Sequence, residues 1–106
     1  MDRRFGQFES RGWWAKVPKG VIHDAELSHA AKVVFCELAV WCGRGENVVM
    51  RGQRAIAEAI SVSRPTVGES LRALERNGHI RIEPAGHGKR SRYVLLSWVY
   101  RKKVAA

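Results

Sequence analysis

The chain has 106 residues, 45% of them apolar, which suits one modest hydrophobic core without disulfide staples and excludes disorder throughout. A formal charge of +9 points to a polyanionic partner. The excess is uneven: residues 1–20 carry +3, residues 21–50 carry −2, and residues 51–106 carry +8.

No apolar run approaches the length of a membrane span, and Met1-Asp2-Arg3-Arg4 is not followed by an apolar export segment, so a cytoplasmic protein is expected. Cys36 and Cys42 fall six apart in a helical pattern, about 120° from each other around the axis. That separation suits neither a disulfide nor a metal site, and both are expected as buried small apolar residues in a reducing compartment.

Taken in order, residues 1–13 read as a basic, aromatic arm with Phe5, Phe8 and Trp13. Trp14 to Pro18 is extended, because the residue before a proline is pushed toward the β or polyproline region. A short helical turn follows at Val21 to Asp24. Leu27 to Cys42 is the longest helix candidate, with Ser28 as N-cap and Gly43 closing it. At 100° per residue, Leu27, Ala31, Val34, Phe35, Leu38, Trp41 and Cys42 share one broad apolar face. The reverse face holds His29, Val33, Cys36 and Val40, leaving Ser28, Lys32 and Glu37 for solvent. Such a helix has to be covered on two sides, the second by the N-terminal arm, by Trp98-Val99-Tyr100 or by a second subunit.

After a loop at Gly43 to Asn47, Val48-Val49-Met50 is a very short strand. Gly52 to Gly78 then holds two helical patterns around Ser61-Val62-Ser63. Ile56, Ala57 and Ile60 give the first its apolar side, and Val62 plugs the turn. Ser63 is placed to accept the N–H of Thr66, while Pro65 occupies the first turn, where no N–H is needed. The second helix runs 64–77. Val67, Leu71 and Leu74 form its inward stripe; Pro65, Gly68, Glu69, Arg72 and Arg76 lie opposite. Asn77-Gly78 ends it. His79 to Glu83 alternates polar and apolar residues and Arg92 to Leu96 is rich in strand formers; the glycine-containing loop 84–91 joins them into a basic hairpin. Residues 98–106 read as a basic tail with Arg101-Lys102-Lys103.

The run from Ile56-Ala57 through Ile60-Ser61-Val62-Ser63-Arg64-Pro65-Thr66-Val67, followed by Leu71, Leu74-Glu75 and Gly78-His79-Ile80, resembles the winged helix–turn–helix superfamily, including gluconate-repressor-type regulators. Upstream, Val17-Pro18-Lys19-Gly20-Val21-Ile22 and Leu27 to Phe35 are similar to the helix–turn–helix domains of plasmid and phage replication initiators. The resemblance covers residues 14–97 and implies an α+β winged helix with three main helices and a small antiparallel hairpin wing. It also implies duplex DNA as partner, with the second helix of the pair in the major groove.

Carried onto this chain, the resemblance makes Arg64, Pro65, Thr66, Glu69 and Arg72 the groove-facing residues. Arg64 and Arg72 suit bidentate pairing with guanine, at about 1–3 kcal/mol of discrimination each. Thr66 has the alternative of capping its own helix, and Glu69 either accepts from cytosine or repels a wrong approach. Gly68 stands where such regulators often carry a long polar residue, so it thins the base-reading surface or lets the helix come closer to DNA. Arg51, Gln53, Arg54, Ser63 and Arg76 are expected at backbone phosphates. In the wing, residues 84–92, His87, Lys89, Arg90 and Arg92 are expected in a flanking minor groove or along phosphates.

The expected role is a transcriptional repressor acting by occlusion, or alternatively the DNA-binding domain of a replication initiator. A homodimer through the long helix and the aromatic terminal segments is the expected assembly. A reading of another class is a protein-interaction winged helix using Trp13, Trp14, Trp98 and the apolar back of the long helix. The four histidines, His23, His29, His79 and His87, are scattered without metal spacing, and no glycine-rich loop followed by Lys-Ser or Lys-Thr offers a phosphate cradle. Neither cofactor, metal nor enzymatic activity is expected.

Overall fold

A computed structural model describes residues 15–42, 46–84 and 91–96. In chain order these form α1 (Lys19–Ile22), α2 (His29–Val40), β1 (Val48–Met50), α3 (Gln53–Ile60), α4 (Arg64–Arg76), β2 (Ile80–Glu83) and β3 (Arg92–Leu95). The arrangement is α+β and compatible with a winged helix. The expected arm at 1–13, the loop residues 43–45 and 85–90, and the tail at 98–106, with Trp13, Trp14 and Trp98, lie outside the described residues.

The hairpin expected after the second helix is present as β2 and β3, and β1 joins it to give a three-stranded antiparallel sheet of order β1-β3-β2. Val49 stands opposite Tyr93 and Ile82 stands opposite the same tyrosine from the other side. This places Tyr93, 2% exposed, at the middle of the sheet and under the helices.

Phe35, Leu38, Ile56, Val67, Leu71, Leu74, Ile80 and Leu95 fill the core, all at most 1% exposed. Burial of one such side chain removes apolar area from water worth about 1.5–3 kcal/mol. The inward stripe of α4, Val67, Leu71 and Leu74, lands in this core as its spacing predicts. Ile56 and Ala57 anchor α3 in it, and Val62 packs against it from the turn.

Three expectations for the long helix are corrected. The helix proper is His29–Val40, with Ser28 as its cap, so Leu27 is buried from a loop rather than from a helical face. Trp41 does not join the inner face; it is 43% exposed. At four-residue steps it continues the line of Val33, itself 45% exposed, and Glu37, which turns away from the stripe formed by Ala31, Val34, Phe35 and Leu38. Glu37, expected in solvent, is only 12% exposed and holds Arg51 at 3.0 Å. Its Oε2 also accepts from Trp41 Nε1 at 2.9 Å.

Both cysteines are half-buried rather than buried. Burial raises both thiols above their ordinary range, Cys42 to about 11 with help from the charge of Glu46. They stay protonated at neutral pH, which makes them poor nucleophiles. Among the described residues no helix is long and apolar enough to cross a membrane.

Candidate nucleic-acid interface

The N-terminus of α4 is built by its cap. Ser63 Oγ accepts from Thr66 N at 3.2 Å and lies 2.9 Å from Thr66 Oγ1, while Pro65 sits in the first turn. Thr66 therefore takes part in capping its own helix, the second of the two uses its position allowed. The turn that aims α4 pivots on Ser61, which adopts the left-handed conformation with φ 61°. Nothing in the sequence announces this, since serine is not a usual residue there. At the other end Gly78 has φ 81°, a conformation that residues with a side chain rarely adopt.

Along its outer side α4 presents a ridge made of Glu69 and Arg72, with an open groove on each flank. One groove is lined by Gln53, Arg64, Pro65, Gly68, Glu69 and Arg72. The other holds Thr66, Ser70, Ala73 and Arg76 of α4 against Glu26 and Ser28 from the loop before α2. The structure thus brings Arg64, Pro65, Glu69 and Arg72 together and adds Gln53 from α3, while Thr66 and Arg76 belong to the second groove. Among the described residues, no carboxylate lies within ion-pairing distance of Arg54, Arg64, Arg72 or Arg76. Those guanidiniums keep their potential for an outside anion.

Arg51, expected at phosphates, has partners within the fold. Its Nε and Nη2 lie 3.1 and 3.0 Å from Glu37 Oε2, and its guanidinium lies 4.3 Å above the Trp41 ring, so the side chain is engaged with α2. Arg54 is exposed on α3. In the hairpin, Arg92 stands opposite Glu83 in register and 3.5 Å from its Oε1, a cross-strand pair. Glu83 also accepts from Arg81 at 3.0 Å. His87, Lys89 and Arg90 lie outside the described residues.

Sequence reasoning missed the local part played by Gly68. It is buried, although its position on the helix is an outward one. A Cβ there would lie 3.6 Å from Arg72 Nη1 and 3.6 Å from Gln53 Oε1. Two polar side chains therefore converge over the glycine. Burial raises the pKa of the Tyr93 hydroxyl, and Ser91 and then Gln53 moderate it. The available signal was the four-residue step from Gly68 to Arg72, because helical side chains lean toward the N-terminus and cover the turn before them. The contribution of Gln53 had no comparable signal.

The far end of α4 is tied to the rest of the domain by Asp24. His79 Nε2 lies 2.7 Å from Asp24 Oδ2, and Asn77 Nδ2 donates to the same oxygen at 3.2 Å. The His79 contact, then the backbone N–H of Glu26, hold the Asp24 carboxyl below its usual range against a smaller opposing effect of burial. Glu75 Oε2 accepts from the backbone N–H of Ile82 at 3.2 Å, joining the last turn of α4 to β2.

No protein-family model matches the sequence, and no curated protein matches it. Solved structures do share the fold. One, described as "Structure of Rep-DNA complex", superimposes with a TM-score of 0.60 at 14% identity over 93% of this chain and 91% of that one. Another, described as "N-Terminal domain of DNA binding protein", gives a TM-score of 0.58 at 13% identity, again over 93% of this chain and 91% of that one. At these identities the likeness concerns the fold.

Proposed function

We propose that the chain binds double-stranded DNA in a sequence-specific way, with α4 in the major groove and the hairpin against the flanking groove or backbone. The observation that carries this reading is the set of guanidiniums without an ion-pair partner among the described residues, Arg64, Arg72 and Arg76, on the outer side of a helix whose other side is locked into the core. Cations held in that way can neutralise phosphates and present forked donors to guanine edges. The fold shared with a chain solved as a Rep–DNA complex and with a DNA-binding protein's N-terminal domain supports it. Arg64, Glu69 and Arg72 read bases; Arg54 and Arg76 hold the backbone. Catalysis is not part of the proposal.

On its target the protein acts by occupation, either as a repressor working by occlusion or as the DNA-binding part of a replication initiator. Pairing of two copies belongs to the same proposal and is supported by the exposed Val33 and Trp41 on the outer side of α2.

Fluorescence anisotropy with labelled duplexes tests the reading. Binding is expected at low salt and should fall steeply between about 50 and 200 mM as counterion release loses its drive. Absence of binding to any duplex at low salt overturns it. Selection of bound duplexes from a random pool then separates the roles: inverted half-sites indicate an operator bound by a symmetric pair, and directly repeated sites indicate an origin-type array.

A further inference from the structure

We infer that Gly68 is a specificity-determining position: by carrying no side chain, it lets the guanidinium of Arg72 lie down over the N-terminal half of α4, where Gln53 helps to orient it. The inference rests on the DNA-binding reading above and names the residue that fixes its base preference.

Three observations support it. Positions 68 and 72 are one helical step apart, so the Arg72 side chain, leaning toward the N-terminus, passes over position 68. The contact is close: Arg72 Nη1 and Nη2 lie 3.6 and 4.0 Å from where a Cβ of Gly68 would be. A longer side chain at position 68 would compete with the guanidinium for this space. Finally, Gln53 Oε1 approaches the same point at 3.6 Å. The arginine is thus bounded by a bare stretch of helix on one side and a carboxamide on another.

The consequence is chemical. Five forked N–H donors from the middle of α4 are delivered to the groove that Arg64 and Pro65 line at its N-terminus. Position 68 does no reading itself. Gly68 and Gln53 are positioning residues, and Arg72 makes the contact.

The experiment is selection of bound duplexes from a random pool with the full chain, comparing wild type with Gly68→Ala, Gly68→Gln and Arg72→Ala. Each variant is also titrated against one fixed non-specific duplex, and its folding is checked by thermal melting. Gly68→Ala places its Cβ at ordinary contact distance and should keep the wild-type preference. Arg72→Ala should lose discrimination at one base-pair position by roughly 5- to 150-fold. Gly68→Gln should lose or change the preference at that same position while keeping affinity for the non-specific duplex within about threefold, well under the tenfold of one full contact. The inference is overturned if Gly68→Gln keeps the wild-type preference, if it alters a different position from Arg72→Ala, or if wild type binds DNA with no base preference. Failure of wild type to bind any duplex sinks the DNA-binding reading itself.

Discussion

The outer side of α2 and the outer side of α4 start from the same local chemistry and end differently. Each helix is capped by a serine that accepts the N–H three residues on, at 3.0 Å for Ser28 and 3.2 Å for Ser63. Each buries one stripe in the common core. On α2 the remaining surface includes the exposed apolar Val33 and Trp41, and its carboxylate Glu37 is consumed by Arg51. On α4 the remaining surface is charged, and among the described residues Arg64, Arg72 and Arg76 have no carboxylate within ion-pairing distance. Charges that pair within the fold cancel locally, whereas unpaired ones leave a field that a polyanion can use. An exposed arginine in the sequence is therefore informative about partners only once its neighbours are known, and Arg51 and Arg64 fall on opposite sides of that line.

The severest way to break the contrast is to remove what both faces stand on. Leu74→Ala empties a fully buried site and should cost about 2–5 kcal/mol, read as a lower denaturant midpoint, with DNA affinity lost in step with folding. The two caps sharpen the contrast next. Ser63→Ala and Ser28→Ala should each cost about 1 kcal/mol in chemical denaturation. Below their melting temperatures Ser63→Ala should also weaken DNA binding, and Ser28→Ala should not; equal effects on anisotropy would erase the distinction between the helices. Trp41→Ala comes third. Loss of the stack on Arg51 should cost about 0.5–1 kcal/mol, with the salt dependence of DNA binding unchanged. A fall in DNA affinity beyond the loss of folded protein would mean that the back face also faces DNA.

Asp24→Asn should have the smallest effect, seen above the titration range of the carboxyl and fading in acid. The Asp24 carboxyl titrates below its ordinary value of 3.8 when folded, so the stability it contributes is present above that value and drains away as pH falls through the folded one. Melting temperatures followed from about pH 5 to about pH 2 should fall less steeply for the variant than for wild type. Parallel curves would show that the contact with His79 carries no linkage.

The helix pair was readable because its signals are local. The serine cap, the proline in the first turn, the period of Val67, Leu71 and Leu74, and the terminal Gly78 all act within one or two turns, and all stand where they were expected. The short strand β1 and the hairpin strands were equally local. What escaped was set by distant partners. Trp41 looked like a core residue until Arg51, ten positions away, and Glu37 gave it a polar setting at the surface. The ion pair of Arg51 with Glu37 was out of reach for the same reason. In the candidate site, the outward residues of α4 followed from periodicity, but the burial of Gly68 depends on Gln53 across the turn, and no one-dimensional pattern encodes that approach.

The bond from Ile82 N–H to Glu75 has a consequence for how the protein behaves at high concentration. β2 lies at the rim of the sheet, where unpaired backbone groups invite a strand from another molecule. A carboxylate from α4 occupies one of those groups and sets a negative charge along the rim, so a neighbouring chain meets a filled donor and a buried cost instead of a template. The same residue that ties helix to sheet thus discourages edge-to-edge aggregation on the side of β2.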